Sequence, residues 1–137
     1  MPTLSPGYKI PAQMEGNPFF TDAIKAKALA ASAASKANFG RAYEAGVEIA
    51  FGTDTGVTKH GENADEFGMM VESGMTEMDA MRSATVVAAE LLEMSDTLGT
   101  IEPGKIADII AVDGSPLDDI TVLEYVSVVI KKGKQFK

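Results

Sequence analysis

The sequence contains no cysteine and a single histidine, His60. Without cysteine the chain forms no disulfide and offers no thiolate to a metal ion, which fits a reducing compartment. A catalytic metal site usually has three or more protein ligands, and one imidazole with one carboxylate does not make such a site. The sequence therefore predicts at most part of a catalytic metal centre.

Long apolar runs and basic clusters are also missing. No run approaches the roughly 20 apolar residues of a membrane span. Residues 1–7 lack the basic segment and apolar core of a signal peptide, so the cytoplasm is the expected location. A formal net charge of -8 argues against nucleic acid and anionic membranes as partners, since both attract clustered Lys and Arg. We interpret the acidity as a contribution to solubility.

The segment Ile49–Gly56 is the most informative feature that is present. Val47 to Phe51 is apolar and follows Gly46, a pattern that predicts a short buried strand. Asp54 then lies at the carboxyl end of that strand, where α/β folds build their active sites. A carboxylate there can bind a hard metal ion or act as a base. The alternative is that Asp54 only caps the turn that follows.

The composition before this segment changes once. Residues 1–20 are rich in Pro and Gly, which predicts a strand end followed by a loop. From Thr21 to Ala45 the chain is rich in Ala and Lys, which favours a helix, and Gly46 supplies its end. A helix followed by a strand indicates part of a parallel α/β structure.

Two capping patterns follow the Asp54 segment. Asn63 with Glu66 has the spacing of a capping box and predicts a short helix over residues 64–73. Thr76 with Asp79 has the same offset and opens a second helix. The predicted apolar face of the second helix consists of Met81, Ala84, Ala88, Leu91 and Leu92.

The sequence beyond Asp96 is rich in β-forming residues. Strands are predicted at Ile106–Val112 and Val126–Ile130, with a hairpin turn at Lys132–Lys134. We place a domain boundary between Asp96 and Gly99, which divides the chain into residues 1–98 and 99–137.

Four short motifs occur in a fixed order, and together they resemble a known family. The order is similar to that in the C-terminal third of metal-dependent amidohydrolases, and the nearest subgroups are imidazolonepropionase-like enzymes and Xaa-Pro dipeptidase or zinc carboxypeptidase-like enzymes. The motifs are Phe51–Gly56 (FGTDTG), His60–Asn63 (HGEN), Gly74–Ala80 (GMTEMDA) and Gly99–Asp108 (GTIEPGKIAD).

The resemblance implies an α/β fold, part of a (β/α)8 barrel joined to a small β-sandwich. Residues 1–98 would be the last strands and helices of the barrel, with Thr3–Ser5 ending the seventh strand and Val47–Thr53 forming the eighth. Residues 99–137 would be the C-terminal half of the sandwich, which this family builds from both ends of the chain.

The sequence departs from the family pattern by what is missing. The His-x-His pair, the lysine of the fourth strand and the histidines of the fifth and sixth strands are absent. About six of the eight barrel strands are absent as well. The resemblance therefore implies a piece of an enzyme. Zinc or another divalent metal would belong to the parent enzyme and be absent or weakly bound in this chain.

The resemblance also implies roles for individual residues. Asp54 would bind the metal, take a proton from the activated water and give it to the leaving amine. His60 would contact the substrate, although a lone histidine in a loop is often simply exposed. Asn63 is most simply a helix cap, with a substrate contact as the alternative. Asp108 is expected to be structural and to bond backbone amides at the Pro103–Gly104 turn.

The function implied for the parent is hydrolysis of an amide or peptide bond, in a dipeptide or an N-acyl amino acid, by metal-activated water. Two alternatives stay open. The chain could be a non-catalytic piece that forms a homo-oligomer or pairs with a complementing chain, because its predicted strand lacks neighbours. It could also be a small α/β protein in which Asp54 is only a cap.

Overall fold

The computed structural model describes residues 2–56 and 58–137. Helices precede a small antiparallel sheet along the chain. The elements are α1 (Ser5–Gln13), α2 (Asp22–Glu44), α3 (Asp65–Glu72), α4 (Glu77–Ala84), α5 (Val86–Leu91), β1 (Ile109–Val112), a 3-10 helix (Ile120–Glu124), β2 (Val126–Lys131) and β3 (Lys134–Gln135).

Helix α2 confirms the prediction for Thr21–Ala45. The Thr21 hydroxyl accepts a hydrogen bond from the backbone N–H of Ile24 at 3.4 Å, so it caps the first turn. Gly46 has a φ of +77°, the left-handed conformation that ends many helices. Local capping signals were therefore sufficient to define this element.

Helix α1 contradicts the loop predicted for residues 1–20 over residues 5–13, whereas residues 14–20 form turns, as the loop prediction expected. Pro6 lies in the first turn of α1, where a missing N–H costs nothing. The N–H groups of Leu4 and Ser5 bond to the carboxylate of Glu66, far along the chain. Proline content alone predicted a loop, but proline at a helix start is compatible with a helix that a distant residue caps.

The strand predicted at Val47–Phe51 is also wrong within the described residues. This segment is irregular, although Ile49 and Ala50 are buried as the pattern predicted. The Phe51 N–H donates to the carbonyl of Ser83, at 3.0 Å. A parallel strand exists only when neighbouring strands bond to it, and the described part of the chain places none there.

A single apolar core joins the helices to the 3-10 helix. Its centre brings α1, α2, α3 and α4 together around the segment that precedes Asp54. Burial of such side chains is the main favourable term in folding. The buried members are Leu4, Phe39, Ile49, Met70, Met75, Ala80 and Ile120.

The second predicted helix is interrupted at Thr85. The Thr76 cap is confirmed, since its hydroxyl accepts from the Asp79 N–H at 3.1 Å. Thr85 has φ −121° and ψ −90°, and its hydroxyl donates to the carbonyl of Met81 at 2.9 Å. That bond competes with regular helix geometry. Leu91 and Leu92 are then 60% and 63% exposed, so these two members of the predicted apolar face lie outside the core.

The Asp79 carboxylate joins α4 to α2. The hydroxyl of Tyr43 donates to it at 2.6 Å, and the hydroxyl of Thr76 donates at 2.9 Å. The hydrogen bonds from Tyr43 and Thr76 hold the pKa of Asp79 below its usual value.

The C-terminal strands form an antiparallel sheet in the order β1-β2-β3. The strand predicted at Val126–Ile130 is confirmed, and the one predicted at Ile106–Val112 begins three residues later, at Ile109. Lys132 and Gly133 both have positive φ, 50° and 76°, as a tight hairpin requires.

Asp108 belongs to this hairpin and not to the Pro103–Gly104 turn. Its carboxylate accepts a hydrogen bond from the Lys132 N–H at 2.7 Å and pairs with the Lys131 ammonium. These two contacts, the Lys131 side chain first, hold the pKa of Asp108 below its usual value. The structural role fits the expectation, but the partners predicted from the sequence were wrong.

Of the helices in residues 2–56 and 58–137, none combines the length and the apolar character needed to cross a membrane.

The close contact between α2 and the end of α3 gives a first testable prediction. A Cβ added at Gly40 would lie 2.8 Å from the carbonyl oxygen of Ser73, which is backbone and cannot turn away. We expect Gly40→Ala to lower the free energy of unfolding by about 2 kcal/mol, the usual size of an overpacking effect. Urea denaturation measures it.

The matched control is Gly68→Ala in α3, where an added Cβ meets no atom within 4 Å. Alanine favours a helix over glycine by up to about 1 kcal/mol, so this change should stabilise the chain. Equal effects of the two substitutions would contradict the close contact.

Candidate active site

Asp54 lies in the loop that follows the buried segment. It is exposed, and its φ of +52° is in the left-handed region that few non-glycine residues adopt. Asp and Asn adopt this conformation more readily than other side chains because they are short and polar. The backbone of this loop thus favours the residue type that the chemistry also requires.

Thr53 and Thr55, the two neighbours of Asp54 in the sequence, form a hydrogen-bonded cluster with Asn63. The two threonine hydroxyl oxygens are 2.6 Å apart. The Asn63 amide nitrogen donates to Thr55 Oγ1 at 2.6 Å and to Thr53 Oγ1 at 3.2 Å. The residues on both sides of Asp54 are therefore tied to the loop that precedes α3.

Asn63 does not cap α3, which corrects the predicted capping box. The N-cap residue is Ala64, without a side-chain hydrogen bond, and the Asn63 amide is engaged with the threonines instead. The Asn63 carbonyl oxygen of the side chain accepts from the Gly61 N–H at 3.3 Å. A contact between Asn63 and substrate stays a prediction.

His60 is exposed in the turn next to Gly61. Within the described residues, the hydrogen bonds of the cluster run through Asn63 and not through His60. The structure thus brings Asn63 against the neighbours of Asp54 and leaves His60 in the adjoining turn. Its substrate contact also stays a prediction.

Glu66 is the residue of this region that sequence analysis missed. It is 1% exposed, and its Oε1 accepts from the Leu4 N–H at 2.6 Å. Its Oε2 accepts from the N–H of Ser5 at 2.8 Å and from the Ser5 hydroxyl at 2.5 Å. The capping spacing to Asn63 misdirected the prediction, and no local pattern relates residues that are 61 apart.

Lys9 makes a second connection between α1 and the same loop. Its ammonium pairs with Glu62 at 2.8 Å and with Asp65 at 2.7 Å. Burial lowers the pKa of Lys9, but hydrogen bonds to Asp65 and Glu62 outweigh it and raise the pKa above its usual value. The two carboxylates therefore favour the charged form of Lys9.

The donor set for a metal is incomplete in the part of the chain that the structure describes. These residues contain no group of three His, Cys, Asp or Glu side chains that could hold a metal ion. Asp54 is a suitable carboxylate ligand, but one ligand does not make a site. No catalytic step through a metal follows from these residues alone.

Comparison with known proteins identifies the family to which this chain belongs. A family model described as the amidohydrolase family matches residues 16–136, which include Asp54, His60 and Asn63. The chain belongs to the amidohydrolase family. Amidohydrolases are generally metal-dependent.

Individual amidohydrolases are similar to this chain over most or all of its length. A crystal structure of a Xaa-Pro dipeptidase with bound methionine in its active site is 48% identical, has a TM-score of 0.92 and covers 100% of this chain. A prolidase complexed with N-methylphosphonate-L-proline is 32% identical, has a TM-score of 0.81 and covers 99%. Ochratoxinase from Aspergillus niger is 41% identical over 101 residues, or 70% of this chain.

The chain spans only a part of each of these proteins. It covers 34% of the dipeptidase chain, 34% of the prolidase chain and 21% of ochratoxinase. The resemblance to amidohydrolases is therefore confirmed at the level of the family, and the subgroup within it stays a prediction.

Proposed function

We propose that the chain carries the Asp54 part of the active site of an amidohydrolase that cleaves the amide bond of a dipeptide or an N-acyl amino acid. The observation that carries the proposal is the match to the Xaa-Pro dipeptidase, at 48% identity over 100% of this chain. The proline-containing ligand of the similar prolidase supports a substrate in which the cleaved bond precedes proline.

The rest of the active site would come from residues that this chain does not contain. In this proposal residues 1–98 belong to a (β/α)8 barrel and residues 99–137 to the C-terminal half of a β-sandwich. The other metal ligands would belong to the remaining barrel strands, since the described residues contain no group of three His, Cys, Asp or Glu side chains that could hold a metal ion. Zinc is the divalent metal that we propose.

Each residue of the site then has a separate role. A bound divalent metal lowers the pKa of water and polarises a carbonyl group. Asp54 would be one of the residues that hold the metal, and its carboxylate would accept a proton from the attacking water and return it to the leaving nitrogen. Asn63 fixes the loop of Asp54 through the threonine hydroxyls. His60 and Asn63 would contact the substrate.

The experiment compares the isolated chain with the same chain joined to the rest of a barrel from a similar dipeptidase. A panel of Xaa-Pro dipeptides and N-acyl amino acids is assayed with added zinc. We expect turnover only from the joined protein, with loss on chelation and recovery with zinc. Metal-dependent turnover by the isolated chain that disappears in Asp54→Asn would contradict the proposal that the site needs other residues.

A second candidate function is association without catalysis. It is favoured by a groove of about 420 Å³ between α5 and β1, lined largely by apolar residues such as Leu92, Leu98 and Ile106. Ile101 nearby is 82% exposed. Apolar surface of this kind favours a second copy or a complementing chain. Light scattering at micromolar concentration tests self-association, and a stable monomer would rule out the second copy as the partner.

A further inference from the structure

Helix α1 is joined to residues 62–66, which are the end of the loop before α3 and the first residues of α3, by charged contacts at two points. Glu66 accepts hydrogen bonds from the first residues of α1, and Lys9, in the middle of α1, pairs with Glu62 and Asp65. We call Lys9 and Glu66, with these partners, the α1 clamp. The three acidic residues of the clamp all lie within residues 62–66, so both contacts hold the same short stretch of chain.

The buried half of the clamp strongly fixes the position of Glu66 relative to the start of α1. Leu4, Ser5 and Glu66 are each 1% exposed, so their hydrogen bonds do not compete with water. Hydrogen bonds to a charged acceptor are shorter and stronger than neutral ones. The negative carboxylate also lies at the positive end of α1. The backbone at Glu66 therefore has one favourable position relative to α1.

The partly buried half of the clamp, at Lys9, holds the residues on both sides of Asn63. The Lys9 side chain is 17% exposed, and it bridges two carboxylates that lie on either side of Asn63 in the sequence. An ammonium that bridges two carboxylates restrains both side chains more than a single pair does.

Asn63 lies between these two anchors, and it is the residue that bonds to Thr53 and Thr55. A continuous path of contacts thus leads from α1 through residues 62–66 to both neighbours of Asp54. We infer that Lys9 and Glu66 are positioning residues for Asp54: they set the place of its carboxylate by fixing Asn63. This inference rests on the proposed function for its catalytic consequence, but the positioning itself does not depend on activity.

Position matters because a displacement of about 1 Å at a catalytic group can cost up to about 100-fold in rate. The inference predicts that loosening the clamp disturbs the Asp54 loop first, while the remainder of the fold persists. A purely structural role predicts instead that stability falls and that amides throughout the chain respond alike.

The test uses two variants of Lys9. Lys9→Met removes the charge and keeps an aliphatic stem of similar size, and Lys9→Arg keeps the charge and supplies a forked donor. Lys36→Met is the matched control. Lys36 makes a similar ion pair with Glu72, at 3.0 Å, that joins α2 to the other end of α3. Its ammonium also lies 5.0 Å from the centre of the Tyr8 ring in α1, so this variant shows whether the loss of any cation that contacts α1 disturbs the Asp54 loop. Glu66→Gln is the fourth variant. If this variant does not fold, the Lys9 variants still test the inference.

The first readout is the set of backbone amide chemical shifts and exchange rates of the full chain. With Lys9→Met we expect changes concentrated at residues 53–55 and 61–63, a return towards the original values with Lys9→Arg, and an undisturbed loop with Lys36→Met. Changes with Lys9→Met that are spread over the chain, or equal to those with Lys36→Met, would overturn the inference.

The second readout is kcat and KM in the joined enzyme. Lys9→Met should lower kcat by about 10-fold, with KM changed less, and Lys9→Arg should restore most of it. Full activity of Asp54→Asn in the same enzyme would show that the proposed function has failed. The amide readout still decides the clamp in that event, so the two failures are distinguishable.

Discussion

Asp54→Asn is expected to lower kcat/KM of the joined enzyme by more than roughly 100-fold, the usual size of a general-base effect. The amide has nearly the size of the carboxylate, but it neither accepts a proton at neutral pH nor offers a negative charge to a metal ion. The loss should fall mainly on kcat if Asp54 acts in the chemical step, since KM then reports binding that the substitution leaves in place.

Stability should change little in this variant. Asp54 is exposed, and its φ of +52° suits Asn as well as Asp, so the substitution adds no backbone strain. Asp54→Ala is a poorer experiment because alanine adopts that conformation less readily. The control is Asp96→Asn, at an exposed position outside the loop. If the joined enzyme kept near-normal rates after Asp54→Asn, the carboxylate would be structural.

The elements that sequence analysis predicted correctly depend on contacts between near neighbours. Thr21 and Thr76 each cap a helix by accepting a hydrogen bond from the backbone N–H three residues later. The hairpin turn at Lys132 and Gly133 requires only two adjacent residues with positive φ. Such signals act within one turn of the chain and can be seen in a single sequence.

The elements that it missed depend on partners that are distant or absent. Helix α1 begins at a carboxylate 61 residues away, so its start has no local signature. The segment Val47–Phe51 has the apolar character of a buried strand, and Ile49 is buried, but strand geometry requires hydrogen bonds from neighbours.

The candidate site also has one feature that the sequence predicted and one that it did not. Asp54 was singled out because a carboxylate after a buried apolar segment has a recognisable chemistry, and the order of the motifs reinforced it. The attachment of Asn63 to Thr53 and Thr55 was missed because the capping spacing to Glu66 offered a simpler local explanation. Both side chains of that expected pair instead make longer-range contacts.

Glu66 carries the largest expected effect on stability. We expect Glu66→Ala to lower the free energy of unfolding by about 3–5 kcal/mol. The substitution leaves the N–H groups of Leu4 and Ser5 buried without an acceptor, and each such group costs about 1–3 kcal/mol. It also leaves a cavity beside Leu4, which is 1% exposed.

Urea denaturation of the chain measures this loss, and Glu72→Ala on the same helix is the matched control. Glu72 is an acidic residue with a 59% exposed side chain that pairs with Lys36 in solvent, so its removal should cost less than about 1 kcal/mol. Glu66→Gln should fall between the two, because one amide oxygen can still accept a hydrogen bond while the amide nitrogen faces donors. If Glu66→Ala and Glu72→Ala were equally mild, the buried carboxylate would not hold the start of α1. The α1 clamp would then depend on Lys9 alone.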